Sequence, residues 1–322
     1  MKQKAVNSLN VLHYMECLIQ KKERTGKEGT ASCYRATKNR LTLFCGKQAL
    51  SIGDINVRMV NHFVDHLLSR NLSSNSITNY LSMFRATYNQ ITSERSIVSK
   101  NPFLHLKLHP VSVHKRAVNM QIMMDIARLE LKEKRLIFAR NLFIFSFMAC
   151  GMAFIDLAHL TRSNIINNTI VYHRIKTNTE IRISITPGMA RLISLYASES
   201  SPFLFPILRD NASYADYKVA LRTYNRRLQA IANKLSYPLK LTSYVARHSW
   251  AMHAKNSNVS VSIISDALGH TTEKTTQFYL SSLDQSILDK ANKKVIDSLE
   301  KWVVKNVLQK DAYLYNKSHS VN

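Results

Sequence analysis

Residues 242–280 read TSYVARHSWAMHAKNSNVSVSIISDALGHTTEKTTQFYL, and this stretch determines the interpretation of the whole chain. It predicts three short helices in series. Thr242 and Ser260 stand where hydroxyl side chains cap the first and second helices, and Gly269 stands where a helix end favours a left-handed residue. His270 is therefore expected at a helix terminus rather than in a helix interior.

An arginine, a histidine and a tyrosine are distributed over these helices. Arg247 lies on the first helix, His270 follows it by 23 positions, and Tyr279 lies 9 positions further on, in the last turn of the third helix. One tyrosine among the 14 in the chain would by itself be interpreted as a packed core residue. All three in this register, with Leu-Gly before the histidine and Thr-Thr-Gln before Phe-Tyr, strongly resemble the C-terminal active-site half of the tyrosine recombinases, also called phage integrases.

The resemblance implies a mainly α fold in two domains. The first is a SAM-like helical core-binding domain at residues 1–108. The second is an α+β catalytic domain with a small antiparallel sheet at residues 120–310, which ends in an exchange helix. A basic, Pro-containing linker at residues 109–119 would join them, and residues 311–322 are expected to form a disordered tail. Alternating apolar and polar residues at 169–185, around a polar turn, predict the hairpin of the sheet.

The resemblance also implies the chemistry. Tyr279 would attack a DNA phosphodiester, leaving a 3′-phosphotyrosyl link and a free 5′-hydroxyl, without a metal or any other cofactor. Arg247 suits the phosphate, because a guanidinium makes two parallel hydrogen bonds to phosphate oxygens, and His270 can donate to the same group. Lys176, in the predicted hairpin turn, matches the family's lysine that protonates the leaving oxygen, although lysine is also common in such turns.

Two positions depart from the family pattern. Its usual Gly-x-Arg-x-x-Glu run is GMAFID at residues 151–156, so the arginine is replaced by Ala153. Tyr244 stands where a histidine is usual, and it keeps a hydroxyl but not a group that titrates near neutrality. This spelling resembles a branch found on mobile elements and DNA invertases of gut anaerobes, where an arginine earlier on the buried helix substitutes. Arg140 is the matching candidate, and its alternative is an arginine that snorkels from the start of an apolar helix.

The charge balance favours a polyanionic partner. The chain has 45 Lys and Arg against 21 Asp and Glu, a net charge of +24 and a pI near 10.0. Nucleic acid is the usual partner of such a chain, although a ribosomal or membrane-surface protein would also fit. Basic side chains on the predicted helices of the first domain and in the linker form a predicted phosphate-contacting set. For each of them, the alternative interpretation is an ordinary solvent-exposed side chain. The set consists of Arg35, Lys38, Arg40, Lys47, Arg85, Lys115 and Arg116.

Compartment signals are few. The four cysteines form no C-x-x-C pair and are interpreted as reduced thiols of a cytosolic protein. Residues 1–10 lack the apolar core of a signal peptide. The most apolar run, residues 142–155, is shorter than the roughly 20 residues of a membrane span, so it predicts a buried helix. We expect a cytoplasmic, nucleoid-associated protein without a membrane partner.

Beyond Tyr279, an amphipathic helix is predicted whose apolar stripe consists of Leu288, Ala291, Val295, Leu299 and Trp302. This helix could fold back on its own domain. The resemblance implies instead that it packs on a neighbouring protomer and supports dimers to tetramers on double-stranded DNA with paired recombination sites.

The predicted function is site-specific recombination, as an integrase or DNA invertase that cuts and rejoins DNA through Tyr279. A catalytically impaired DNA-binding protein on the same fold is the alternative, since it would explain Ala153 and Tyr244. A relaxing topoisomerase would use the same chemistry without a specific site, but the chain length and the amphipathic tail argue against it.

Overall fold

The computed structural model describes residues 9–97, 101–106, 117–199 and 201–280, followed by residues 293, 295–299 and 301. For Phe278 and Tyr279 it describes the backbone alone. The chain divides into two compact units, Met1–Val113 and His114–Asn322.

Several predicted features lie outside the described residues. They are Lys115, Arg116, most of the predicted linker, the predicted tail, and Leu288, Ala291 and Trp302 of the predicted exchange helix. Residues 295–299 of that helix are described as helical, and Val295 and Leu299 are exposed.

The first unit is helical. Its helices are α1 (Val11–Arg24), α2 (Glu28–Cys45), α3 (Val57–Ser69) and α4 (Ser74–Glu94), with a 3-10 turn at Ile52–Asp54. Helices α1, α3 and α4 begin where a polar side chain accepts a hydrogen bond from a backbone N–H of the first turn, and these caps are Asn10, Asn56 and Ser73.

Three phenylalanines lie at the centre of the core of the first unit. Phe63 of α3, Phe84 of α4 and Phe103 are fully buried. Their rings meet edge to face, with centroids 5.8 Å apart for Phe63 and Phe84 and 5.2 Å apart for Phe84 and Phe103. Such ring pairs add directional packing to the burial of apolar area, and they fix α3 against α4.

The second unit combines a small sheet with eight helices among its described residues. The helices are α5 (Met120–Arg128), α6 (Lys134–Met148), α7 (Phe154–Ala158), α8 (Pro187–Tyr196), α9 (Tyr214–Ala232), α10 (Ser243–Asn256), α11 (Val261–Leu268) and α12 (Glu273–Leu280). The buried helix predicted from the apolar run at residues 142–155 is α6, although α6 ends at Met148 and the last residues of the run belong to α7. Phe143 and Phe145 of α6 are fully buried, and α9 and α10 pack against this helix. None of the described helices has both the length and the apolar character needed to span a membrane.

The sheet is antiparallel, with β1 (Ile165–Ile166), β2 (Thr169–His173) and β3 (Glu180–Ser184) in the order β1-β2-β3. Ile170 pairs with Ile183 and Tyr172 with Ile181, and all four side chains are buried. This alternation is the predicted hairpin signal, whereas the two-residue strand β1 was not predicted. The mainly α fold with a small antiparallel sheet is confirmed.

Candidate active site

The three helices predicted at residues 242–280 are α10, α11 and α12. Thr242 occupies the N-cap position of α10, but its side chain makes no capping hydrogen bond. Ser260 caps α11 as predicted, and Gly269 ends that helix with φ +61°, in the left-handed region. A side chain at Gly269 would also place its Cβ 2.9 Å from Cδ1 of Ile181. Glycine therefore lets the chain turn at His270 while the turn lies against the sheet.

Arg247 of α10 is only 3% exposed, and its guanidinium is held by backbone carbonyls. Its Nη1 donates to the carbonyl oxygen of Gly151 at 3.0 Å, and its Nη2 donates to that of Leu268. Nη2 also lies 3.4 Å from Nε2 of His270. Gly151 has φ +67°, and a Cβ there would lie 2.7 Å from Cα of Arg247. The guanidinium is thus fixed beside the imidazole.

His270 joins this arginine to α12. Its Nδ1 lies 2.8 Å from Oγ1 of Thr276, and its backbone N–H donates to the carbonyl oxygen of Ser265 at 3.0 Å. Thr276 is fully buried and precedes Tyr279 by three positions. Residues three apart on a helix share a face, so the contact with His270 is made one turn before the tyrosine.

Tyr279 lies in the last turn of α12. Two contacts hold the end of this helix. The side chain of Leu280 is buried in a small apolar cluster with Ala251, Ile264 and Leu268, and Nζ of Lys255 donates to the carbonyl oxygen of Leu280 at 2.9 Å. The helix that carries the predicted nucleophile is therefore held at its middle and at its end.

A cavity of about 250 Å³ adjoins Arg247. Arg247, Lys176 and Tyr244 of the predicted site line it, together with Ala153 and Arg174. Lys176 is exposed in the turn between β2 and β3, and Tyr244 is half exposed on α10. The structure thus brings three predicted residues to one cavity, with His270 in contact with Arg247.

Arg140 does not line that cavity. Its Nη1 donates to the carbonyl oxygen of Leu129 at 2.8 Å, and its Nε donates to Oδ1 of Asn141 at 3.2 Å. Leu129 immediately follows α5. A guanidinium is a suitable donor to the unpaired carbonyls at a helix C-terminus, so Arg140 holds the end of α5 against α6.

Arg174 was not among the predicted site residues. It follows β2, is 5% exposed and lines the cavity. Its Nη1 donates to the carbonyl oxygen of Gly269 at 3.1 Å, and its Nε lies 3.7 Å from Oδ2 of Asp156. The signal was available, because side chains two apart on a strand share a face and Arg174 continues the inward-facing pair Ile170 and Tyr172.

Asp156 of α7 is the buried acid of the site. Its Oδ1 accepts from the backbone N–H of Ile175 at 2.9 Å, between Arg174 and Lys176. Burial raises the pKa of Asp156, and the Ile175 N–H and the charges of Arg174 and Arg247 oppose that rise. The carboxyl group therefore fixes the backbone that presents both basic side chains to the cavity.

The predicted phosphate-contacting set of the first unit has mixed surroundings. Arg35 pairs with Glu23 at 2.6 Å and Lys38 pairs with Glu16, whereas Lys47 is exposed. The other two described members are partly buried: Arg40, whose Cζ lies 6.0 Å from the ring centroid of Tyr80, and Arg85. A carboxylate partner reduces the charge that a cation presents to phosphate, so Arg35 and Lys38 are the weaker candidates.

An arginine, a lysine and a histidine grouped beside a helix that carries a tyrosine are suited to phosphoryl transfer, because cationic donors stabilise the charge that develops on the phosphate. Comparison with known proteins agrees with this chemistry. The family model of the phage integrase SAM-like domain matches residues 10–124, and that of the phage integrase family matches residues 118–286, more than half of the chain. The chain therefore belongs to the phage integrase family, and it is a tyrosine recombinase that breaks and rejoins DNA strands.

Relatives and solved structures are similar over different lengths. The tyrosine recombinase XerD of Pasteurella multocida is 23% identical over 80% of this chain and 88% of its own length. The integrase of Escherichia phage P2 is 29% identical, and the match covers 41% of this chain and 34% of that integrase. The Tn1549 transposon integrase in complex with circular intermediate DNA has a TM-score of 0.64 at 14% identity, covering 89% of this chain and all of that one. A lambda integrase dimer bound to a core site has a TM-score of 0.62 at 15% identity, covering 86% and 78%.

Proposed function

We propose that this recombinase cuts DNA by attack of the Tyr279 hydroxyl oxygen on a phosphodiester. The P–O5′ bond breaks as the P–O bond to tyrosine forms, the hydroxyl proton of tyrosine passes to solvent, and the leaving oxygen takes a proton from Lys176, which leaves a 3′-phosphotyrosyl link and a 5′-hydroxyl. Attack by a 5′-hydroxyl on that link reverses the step and rejoins a strand. The proposal is supported chiefly by one observation: Arg247 lies 3.4 Å from His270, which contacts the helix of Tyr279 one turn away.

Each side chain of the site has a distinct proposed role. Arg247 binds non-bridging phosphate oxygens, and its buried guanidinium needs no rearrangement as charge develops. His270 donates a hydrogen bond to the same phosphate from Nε2. Lys176 gives a proton to the leaving 5′ oxygen, for which its exposed position at the cavity is suitable. Tyr244 contributes a hydroxyl donor at the cavity wall.

The proposed substrate is double-stranded DNA with paired recombination sites. The solved structures of similar fold include a Tn1549 integrase with circular intermediate DNA and a lambda integrase tetramer on a Holliday junction. A helical unit at residues 1–108 would hold the duplex through its basic side chains, a linker at 109–119 would follow, and residues 120–310 would act on the strand. Dimers to tetramers would form through the helix after Tyr279, and the protein would be cytoplasmic and associated with the nucleoid.

Covalent capture tests the proposal. The protein is recovered from its host cells under denaturing conditions, and any DNA that remains attached is sequenced, with Tyr279→Phe as the control. We expect attached DNA from the wild type alone, because phenylalanine has no oxygen to form the ester. Paired inverted repeats among the sequences would indicate inversion, and element ends would indicate integration.

The contrary result identifies the second candidate function. Native recovery of specific DNA without any covalent adduct would contradict cleavage and favour a DNA-binding protein on a recombinase fold. The observation that favours this second function is that Ala153 stands where the family has an arginine.

A further inference from the structure

We infer that Arg174 is a second phosphate-binding arginine of the active site and supplies the guanidinium that Ala153 lacks. This inference rests on the proposed cleavage reaction and adds a catalytic residue to it. It also moves to Arg174 the role that the sequence suggested for Arg140.

The first support is the environment that Arg174 shares with Arg247. The two side chains are similarly buried, with 5% and 3% of each residue exposed, and both line the cavity of about 250 Å³. Ala153 lines the same cavity. Two cationic guanidinium groups at one small cavity make that cavity suited to an anionic ligand.

The second support is a common anchor. Nη2 of Arg247 donates to the carbonyl oxygen of Leu268, and Nη1 of Arg174 donates to that of Gly269. The next residue is His270, whose Nε2 lies 3.4 Å from Arg247. One turn of three consecutive residues thus positions two guanidinium groups and an imidazole. A Cβ at Gly269 would lie 2.8 Å from Cδ of Arg174, so this approach depends on glycine.

The third support is incomplete pairing within the protein. Nε of Arg174 and Oδ2 of Asp156 are buried 3.7 Å apart, and neither atom has a hydrogen-bond partner among the described residues. Asp156 instead accepts from the backbone N–H of Ile175 through its other oxygen. The carboxylate therefore places Arg174 without using the full donor capacity of its guanidinium, which remains suited to a phosphate.

The chemistry requires such a group. A five-coordinate phosphorus carries extra charge on its non-bridging oxygens, and two guanidinium groups can contact both of them. Asp156, the last residue of the GMAFID run, has a role in this arrangement, because it positions the segment that bears Arg174 and Lys176. Arg174, in the turn after β2, therefore supplies a guanidinium to the cavity that Ala153 lines with only a methyl group.

Arg174→Gln tests the inference, because glutamine keeps an N–H donor for the Gly269 carbonyl and removes the charge. The substrate is a duplex of the sequence mapped by covalent capture, and the measurement is the rate of phosphotyrosyl formation. We expect the rate to fall about 100- to 1,000-fold, the usual effect of losing one such donor, while the unfolding temperature and the DNA affinity change little. Arg182→Gln is the matched control, since Arg182 is exposed on β3 and pairs with Glu180. It should cleave at the wild-type rate.

A restored guanidinium separates a catalytic role from a structural one. Adding Ala153→Arg to Arg174→Gln should recover at least tenfold of the lost rate, because the new arginine reaches the same cavity. Cleavage by Arg174→Gln within threefold of wild type would overturn the inference. A loss of rate together with folding stability, without recovery by Ala153→Arg, would also overturn it.

Arg174→Lys replaces the glutamine variant if the latter does not fold. Its cleavage is compared on the mapped duplex and on one with a neutral methylphosphonate at the scissile position. A loss that is at least tenfold smaller on the neutral substrate is expected, because a guanidinium is needed less when the charge is absent. Equal losses on both substrates would contradict phosphate binding. Failure of the proposed function is distinct, since the wild type itself would then form no adduct.

Discussion

Lys255 donates a hydrogen bond from Nζ to the carbonyl oxygen of Leu280 at 2.9 Å, one residue beyond Tyr279. A hydrogen bond from a charged donor to a carbonyl is stronger than one between neutral groups. The bond therefore stabilises the turn that positions the predicted nucleophile.

Lys255→Met should loosen that turn while keeping much of the apolar stem. Losing a hydrogen bond from a charged donor costs about 1.5–3 kcal/mol, and we expect cleavage to fall by roughly tenfold, with non-covalent DNA binding unchanged. Single-turnover cleavage measures the effect. Lys274→Met is the matched control, since Lys274 is exposed on α12 itself. Equal rates for the two variants would show that the contact does not position Tyr279.

Thr276→Val should impair the contribution of His270 to cleavage. The hydrogen bond at one ring nitrogen sets the tautomer and orientation of the other, and Oγ1 of Thr276 is 2.8 Å from Nδ1 of His270. Valine keeps the shape of the buried side chain but removes this bond. Because losing one positioned donor to the reacting phosphate costs roughly 100- to 1,000-fold, and the Thr276 bond only orients that donor, we expect a loss of about tenfold or more, together with a shifted pH profile of cleavage.

The serine variant decides whether the hydroxyl is responsible. Thr276→Ser should restore most of the rate and the original pH profile, whereas Thr275→Val, at an exposed neighbouring position, should have little effect. A Thr276→Val enzyme that is slower at every pH, with an unchanged profile, would indicate a packing role instead.

Gly269→Ala should damage the site more than a left-handed conformation alone would explain. A left-handed residue other than glycine costs about 1–2 kcal/mol, and the new Cβ would also meet Cδ of Arg174 and Cδ1 of Ile181. Gly26→Ala is the control, because Gly26 has φ +67° and open space around it. Thermal unfolding should show the larger loss for Gly269→Ala, with cleavage reduced in that variant alone. Equal destabilisation by the two substitutions would contradict close packing at Gly269.

Local signals accounted for much of the fold. The helix boundary at Gly269, the cap at Ser260 and the hairpin were predictable, because each depends on residues a few positions apart. The spacing of Arg247 and His270, 23 positions apart, was informative for another reason, its resemblance to the pattern of a known family. Thr242 shows the limit, since its residue type suggested a capping bond that the side chain does not make.

Long-range pairs account for what could not be predicted. Arg174 reaches Gly269 across 95 positions, and Arg247 reaches Gly151 across 96, so neither contact leaves a periodic signal. Arg140 was the expected substitute for the missing arginine, yet its guanidinium holds the carbonyl of Leu129. Tertiary packing likewise determines whether a basic side chain is available to bind DNA or is paired with a neighbouring carboxylate, as the Arg35–Glu23 ion pair illustrates.

Asp156 should make the catalytic unit's stability depend on pH in an unusual direction. Its pKa is raised mainly by burial, so the folded chain binds its proton more tightly than the unfolded chain does. Stability then falls as pH rises from the ordinary value of about 4 to the raised pKa. Asp156→Asn lacks this titration and keeps an acceptor for the Ile175 N–H. We therefore expect the unfolding temperature of the variant, minus that of the wild type, to increase across this window and then level off.

Asp216 supplies the opposite case for the same measurement. Hydrogen bonds from Ser213 lower the pKa of Asp216, so it contributes stability that is present above its ordinary value of about 4 and lost below it. The corresponding difference for Asp216→Asn should decrease as pH rises to about 4. Tryptophan fluorescence follows both variants, because the two tryptophans, Trp250 and Trp302, belong to the second unit. A flat or decreasing difference for Asp156→Asn would show that burial does not control the ionisation of this carboxyl group.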